Sequence, residues 1–149
     1  AQMINRGYKN YVFENAVSML SSCGIDTVCH IILGLPNESR DDMINTVKYA
    51  CCQNISGIKL QMLNVLMDTP LAQIYEKSPF KLLSLEEYTD LVTELIEYIP
   101  SNVALHRLTG DGPKELLIEP KWVLNKRLVL NTITKKIRER SIVQGRLKK

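Results

Sequence analysis

Apolar positions along the chain recur at two spacings, and the two spacings alternate. Phe13, Ala16, Val17 and Leu20 fall three and four residues apart, which predicts a helix over 8–23 with these four on one face. Gly24 follows, where a helix is commonly closed by glycine. A continuous apolar run from Thr27 then predicts a strand ending at Gly34, because Pro36 cannot continue a central strand. Helical spacing returns at Met43, Val47, Ala50 and Cys51, with Asp41 and Asp42 in the first turn, where the helix dipole favours acids. That helix is expected from about Ser39 to about Gln53.

Residues 58–65 alternate. Ile58, Leu60 and Met62 share one face, while Lys59 and Gln61 share the other. Asp68-Thr-Pro70 opens a short helix with proline at its first position. Ser84-Leu-Glu-Glu87 is a capping box for a helix running to about Tyr98, whose apolar stripe is Tyr88, Leu91, Val92, Leu95 and Ile99. A third strand is expected over 103–108, followed by the turn Thr109-Gly-Asp-Gly-Pro113. Residues 116–118 fit a short strand or a helical turn. A last helix is expected over 123–140, with Val129, Ile133 and Ile137 inward and a frayed tail after it.

Strands alternating with helices predict an α/β fold with a parallel sheet of about three strands under covering helices, the size of a segment of a larger barrel. A strand buried by helices on both faces rarely carries Lys and Gln. Two explanations stay open for Lys59 and Gln61: a face turned into a barrel lumen, or an edge strand with one wet face.

Composition changes this picture little. Apolar residues make up 45% and charged residues 23%, as in ordinary globular domains. No apolar run reaches the ~18 residues of a membrane span, and the start carries no secretory pattern. Cys23, Cys29, Cys51 and Cys52 match no zinc or iron–sulfur spacing. They read as reduced thiols of a cytoplasmic protein.

Charge changes it more. From Lys121 onward there are ten Lys or Arg against one acid, so the end carries +9 and the remainder −6. A domain boundary is therefore drawn at residue 120, with 121–149 as a basic helix and tail. Such asymmetry suits an anionic partner or a merely solvated helix.

Candidate chemistry is sparse. His30, His106 and Asp111 could together hold a metal, although strand histidines are more often hydrogen-bonded core residues. Cys29 and His30 are strand neighbours and point to opposite faces, so they form no thiolate–imidazole pair. Gly34 would let a flat ligand approach the backbone. Glu38 could accept bonds from backbone N–H groups or from a ligand.

The stretch His30-x-Ile32-x-Gly34-Leu-Pro-x-Glu38 resembles the Gly-x-Ile-x-Gly-x-x-Glu region of radical S-adenosylmethionine (SAM) enzymes. It is most similar to the Gly-Leu-Pro-x-Glu form near the Elongator catalytic subunit and oxygen-independent coproporphyrinogen oxidases. Ile4-Asn-Arg-Gly7, Gly57-Ile-Lys-Leu60, Asp68-Thr-Pro-Leu71, Leu83-Ser-Leu-Glu-Glu-Tyr88, His106-Arg-Leu-Thr-Gly-Asp-Gly-Pro113 and Leu124-Asn-Lys-Arg127 resemble the bacterial YhcC-type subgroup, in order and over nearly the whole chain. The resemblance implies the C-terminal half of a partial (β/α)6 barrel. It implies that Ile32, Gly34, Leu35, Pro36 and Glu38 help bind SAM, and that Lys59, Gln61, His106, Arg107, Thr109 and Asp111 face the substrate. It implies that the complete protein uses a 4Fe–4S cluster to cleave SAM reductively, the resulting radical abstracting hydrogen from a substrate. The family's Cys-x3-Cys-x2-Cys motif and SAM-gripping glycines are absent, and His30 stands at the motif's first glycine. The chain is therefore expected to be inactive alone and to need the remainder of the barrel.

Two other functions stay open. The basic end could bind nucleic acid, transfer RNA included, although Trp122 is its only aromatic residue for stacking. The open edges of a half-barrel could also drive self-association into a homo-oligomer.

Overall fold

A computed structural model describes residues 6–110 and 112–147. The elements run α1 (Asn10–Ser22), β1 (Val28–Leu33), α2 (Arg40–Cys51), β2 (Gly57–Met62), β3 (Val65–Leu66), α3 (Pro70–Lys77), α4 (Leu85–Tyr98), β4 (Ala104–Arg107) and β5 (Leu117–Glu119). A 3-10 turn (Lys121–Leu124) and α5 (Lys126–Glu139) complete the described chain.

Three strands form a parallel sheet in the order β1-β2-β4. Its covered face carries Ile31 and Leu33 from β1 and Ile58, Leu60 and Met62 from β2, all buried beneath α2 and α4. The stripe expected on α4 is the centre of this core: Tyr88, Leu91, Val92, Leu95 and Ile99 are all buried. Ser84 caps α4 by accepting from the Glu87 N–H, and Glu87 answers by accepting from the Ser84 N–H, so the box read in the sequence is closed. Ser39 and Asp42 build the same device at the start of α2.

Four expectations are corrected. The second strand stops at Met62; Val65 and Leu66 leave the sheet and pair antiparallel with β5. The last helix is broken at Asn125, whose side chain caps α5 by accepting from the Leu128 N–H. Of the face assigned to α1, only Val17 is buried, and Ala16 and Leu20 are exposed. Residues 141–147 are not frayed, because the Gly145 and Leu147 N–H groups donate to the Ile96 and Glu97 carbonyls. Gln144 donates to the carbonyls of Pro100 and Val103 in the same clasp.

Candidate functional site at the rim and inner face of the sheet

The first part of the site is the turn after β1. Gly34 adopts φ +81°, which an L side chain resists, and a Cβ there would stand 3.1 Å from the Cε of Met62. Both constraints explain glycine. The N–H groups of Gly34 and Leu35 donate to Oε2 of Glu38 at 3.1 and 3.0 Å, and the Gly34 N–H also faces the Met43 sulfur at 3.1 Å. Glu38 thus closes the turn on itself. Burial pushes its carboxyl above the ordinary value, while the two backbone bonds pull the other way. A groove of about 680 Å3 opens beside the turn, lined by Gly34, Leu35, Pro36, Glu38, Phe80 and Leu83 among others. The helix starting at Arg40 forms one side, held to α4 by the ion pair of Arg40 with Glu94.

The second part is the uncovered face of the sheet. In register across β1 and β2, His30 stands beside Lys59 and Ile32 beside Gln61. Ile32 is 37% exposed, a large apolar side chain turned outward from a strand whose neighbours Ile31 and Leu33 are buried. Lys59 and Gln61 are half-buried, and His30 is exposed. The alternation read from the sequence therefore places all four on one face.

At β4 the register slips by one residue. Ile58 pairs with Leu105, but Lys59 pairs with Arg107, leaving His106 as the extra residue. Leu105 keeps its contact with the core, while His106 lies over Gly57 and Arg107 acts electrostatically on His30. A Cβ at Gly57 would stand 2.5 Å from Cδ2 of His106, so glycine makes room for the imidazole. Burial first, and then the charges of Lys59 and Arg107, hold the His30 imidazole below its ordinary pKa.

Beyond β4, Thr109 and Gly110 are buried. Gly110 stands over the Met62 carbonyl and the Cβ of Gln61, and Gly112 approaches Asn64. Asn64 presents a buried Oδ1 with no hydrogen-bond partner among the described residues. Asp111 lies outside the described residues.

The sequence-derived set thus divides. Gly34, Leu35, Pro36 and Glu38 line the groove; Ile32, Lys59, Gln61, His106 and Arg107 share the uncovered face; Thr109 is enclosed at its rim. Met43, Phe80 and Leu83 escaped sequence reasoning because they reach the groove from other elements. Gly57 carried a signal, a glycine opening a strand. Among the described residues, no group of three or more His, Cys, Asp or Glu side chains stands together as a metal site. Cys29 is half-buried, and burial raises its thiol pKa, a poor start for a thiolate ligand.

The basic end is partly neutralised within the fold. Lys136 reaches Glu86 and Asp90, each at 2.7 Å, with 8% of its side chain exposed. Arg140 pairs with Asp90, and Arg146 with Glu97. Trp122 packs on Tyr88 at 5.2 Å between ring centroids and donates its indole N–H to the Leu83 carbonyl.

Comparison with known proteins bears on the family and the fold. Protein YtqA of Bacillus subtilis is 40% identical over 146 residues, 98% of this chain and 45% of that protein. Protein YhcC of Escherichia coli is 27% identical over 123 residues, 83% of this chain and 40% of that protein. The chain therefore spans less than half the length of these relatives. Among solved structures, the archaeal Elp3 of Methanocaldococcus infernus with an N-terminal deletion superposes with a TM-score of 0.77. That match covers 96% of this chain and 34% of Elp3 at 17% identity, a likeness of fold that fits a partial barrel. The radical SAM C-terminal domain profile matches residues 55–139, more than half the chain. The chain belongs to the radical SAM C-terminal domain family and is of the YhcC type.

Proposed function

We propose that the chain forms the C-terminal wall of a radical SAM barrel, with the turn after β1 beside SAM and the uncovered face turned toward substrate. The observation that carries this is the juxtaposition of Ile32 and Gly34 at the end of an edge strand. Ile32 offers an exposed apolar surface on the uncovered face, and Gly34 offers backbone without a side chain at the rim. These two features suit the flat, largely apolar face of an adenine. When bound, the cluster and SAM supply the radical chemistry. The residues of this chain bind and orient.

Glu38 has a positioning role here. Its carboxylate holds the Gly34 and Leu35 N–H groups and so fixes the turn on which Leu35 and Pro36 stand. Lys59, Gln61, His106 and Arg107 supply the polar groups of the substrate side, with Thr109 at the rim. The cluster needs a different donor set from the one present, since the four cysteines lack its spacing. The preceding part of the barrel would supply it and would pair with the outer edge of β1. The exposed apolar side chains of Val28, Tyr11 and Met19 are consistent with such a neighbour.

The test is SAM binding and reductive cleavage by the intact protein that carries this chain. Ile32→Glu and Gly34→Val are expected to weaken SAM binding, and binding equal to the parent's in both would overturn the reading. The chain alone is expected to hold no cluster after incubation with iron and sulfide; stoichiometric iron with charge-transfer absorbance would contradict that.

A second reading keeps RNA as a partner of α5. The exposed cations Arg127, Lys135 and Arg138 would make the contact, whereas Lys136 is committed to Glu86 and Asp90. Salt-dependent transfer-RNA binding lost on reversing the charge of Arg127 and Arg138 would support it, and no binding at low salt would remove it. Self-association through the β1 or β4 edge is the remaining alternative, which light scattering of the chain at increasing concentration decides.

A further inference from the structure

The chain leaves the parallel sheet at Asn64. One residue earlier, the Leu63 N–H still donates to the Leu33 carbonyl at 2.9 Å, level with the rim at Gly34. One residue later, Val65 has turned away to pair with Glu119 of β5. Asn64 therefore stands at the C-terminal end of β2, the end at which parallel α/β folds build their sites. Its Oδ1 is buried and has no hydrogen-bond partner among the described residues. Buried polar atoms are nearly always paired, so an unpaired one calls for an explanation.

Two glycines surround this amide, for different reasons. A Cβ at Gly112 would stand 3.0 Å from Nδ2 of Asn64, so glycine is needed there to admit the side chain. Gly110 has no such need. A Cβ there would stand 3.5 Å from the Met62 carbonyl oxygen, 3.6 Å from Cβ of Gln61 and 3.7 Å from Nδ2 of Asn64, all ordinary contact distances. Its φ also lies outside the left-handed region. Neither constraint that explains Gly34 operates at Gly110. Its missing side chain leaves a notch between Asn64 and Gln61, and Gln61 belongs to the uncovered face. None of these neighbouring atoms belongs to a charged group.

We propose that Asn64, with Gln61 beside it across the notch at Gly110, recognises a neutral amide-type edge on the molecule held against the uncovered face. Such an edge sets an N–H donor next to a carbonyl acceptor. This rests on the reading of that face as the substrate side, and it deepens that reading by giving the substrate a chemical class. A carboxamide presents an acceptor and a donor in one plane, so an edge with the same two groups in opposite order meets both. Binding then pairs the Oδ1 that the fold leaves unpaired. A charged ligand group would find no counter-charge among the atoms around the notch, and burying it there would be costly.

The test uses the intact protein that carries this chain, with 15N-labelled asparagine and the Asn64 amide resonance assigned by Asn64→Leu. Uridine and acetamide, which carry the edge, are titrated separately. Their controls are 3-methyluridine and N,N-dimethylacetamide, which lack its N–H. The expected result is a saturable displacement of the Asn64 resonance by at least one of the first two, with the methylated counterpart about tenfold weaker or more, as for a lost hydrogen bond. The compound that acts at lower concentration identifies the source as a nucleobase or a simple amide. Gly110→Ala fills the notch without crowding the fold, so it should weaken the effect severalfold while the urea midpoint stays at the parent's. Asn64→Leu should unfold at an equal or higher urea concentration than the parent without ligand, because it removes an unpaired polar group. The proposal is overturned if neither uridine nor acetamide saturates, if the methylated compounds act equally, or if Gly110→Ala binds as the parent does. It is also overturned if Asn64→Leu unfolds earlier, since a fixed water would then satisfy the amide. SAM binding reports separately on the Gly34 turn. SAM binding without amide recognition removes only the notch, and amide recognition without SAM binding removes only the radical SAM reading.

Discussion

Lys136 on α5 and Asp90 on α4 stand 2.7 Å apart, joined across 46 residues of sequence, with the lysine side chain almost wholly enclosed. Glu86 meets the same ammonium from the preceding turn of α4. The most basic part of the chain is thus docked on acids of the element before it. Removing Lys136 leaves Asp90 with Arg140 alone among the described residues and opens a gap at the helix interface. Lys136→Ala is expected to cost about 1–3 kcal/mol in urea unfolding, reduced from the fully buried case because Glu86 is open to water. Arg138→Ala, on the exposed side of α5, is expected to change stability by less than about 0.5 kcal/mol.

The same pair sets an acid limit. The hydrogen bond from Lys136 does most to hold Asp90 below its ordinary pKa; burial opposes it and Arg140 adds to the lowering. A depressed folded-state pKa gives stability that is present above the unfolded value and lost as pH falls through the folded one. Stability should therefore decline below about pH 4, the ordinary carboxylate range. Asp90→Asn should flatten the decline in denaturant midpoints measured between neutral and acid pH. Glu38 acts with the opposite sign, since its folded pKa is raised. Its contribution diminishes as pH rises from the ordinary carboxylate range through the folded pKa, so Glu38→Gln should lose little stability at neutral pH.

Gly34→Ala should be costly for two reasons that add. The left-handed φ of +81° disfavours an L residue, and the new Cβ would press on Met62 at 3.1 Å. A loss of about 1–3 kcal/mol by chemical denaturation is expected. In the intact protein, SAM affinity should fall with it.

Gly57→Ala poses a different problem, because its neighbour can move. The added methyl would overlap His106, an exposed ring free to swing outward, and would approach the Ala104 carbonyl at 3.2 Å. The cost should be about 1 kcal/mol, and Gly57→Ala combined with His106→Ala should recover much of it in a double-mutant cycle.

The sequence revealed features that depend on local periodicity. The alternation at 58–62 placed Lys59 and Gln61 together, the Ser84 box fixed the start of α4, and Pro36 located the rim of β1. It concealed what depends on distant partners. The face of α1 misled because Ala16 and Leu20 have no covering element among the described residues. The docking of 141–147 left no apolar rhythm, since Gln144 and backbone N–H groups do the holding. The groove was hidden for a similar reason: Phe80 and Leu83 approach Gly34 from a segment more than forty residues downstream. Of the two roles open to Glu38, the backbone bonds are observed, a choice that geometry alone could make.

The slip in β4 also bears on how this family can change. A strand that alternates strictly can add a group to its uncovered side only by giving up an apolar one, because each residue owns one side. An extra residue at His106 evades that rule: the strand turns two successive polar side chains the same way while Leu105 still anchors it. Removing that one residue would leave Arg107 opposite Lys59 and the hydrophobic side untouched. Length variation at this point is therefore a means of changing which polar groups the uncovered face presents without disturbing the core beneath it.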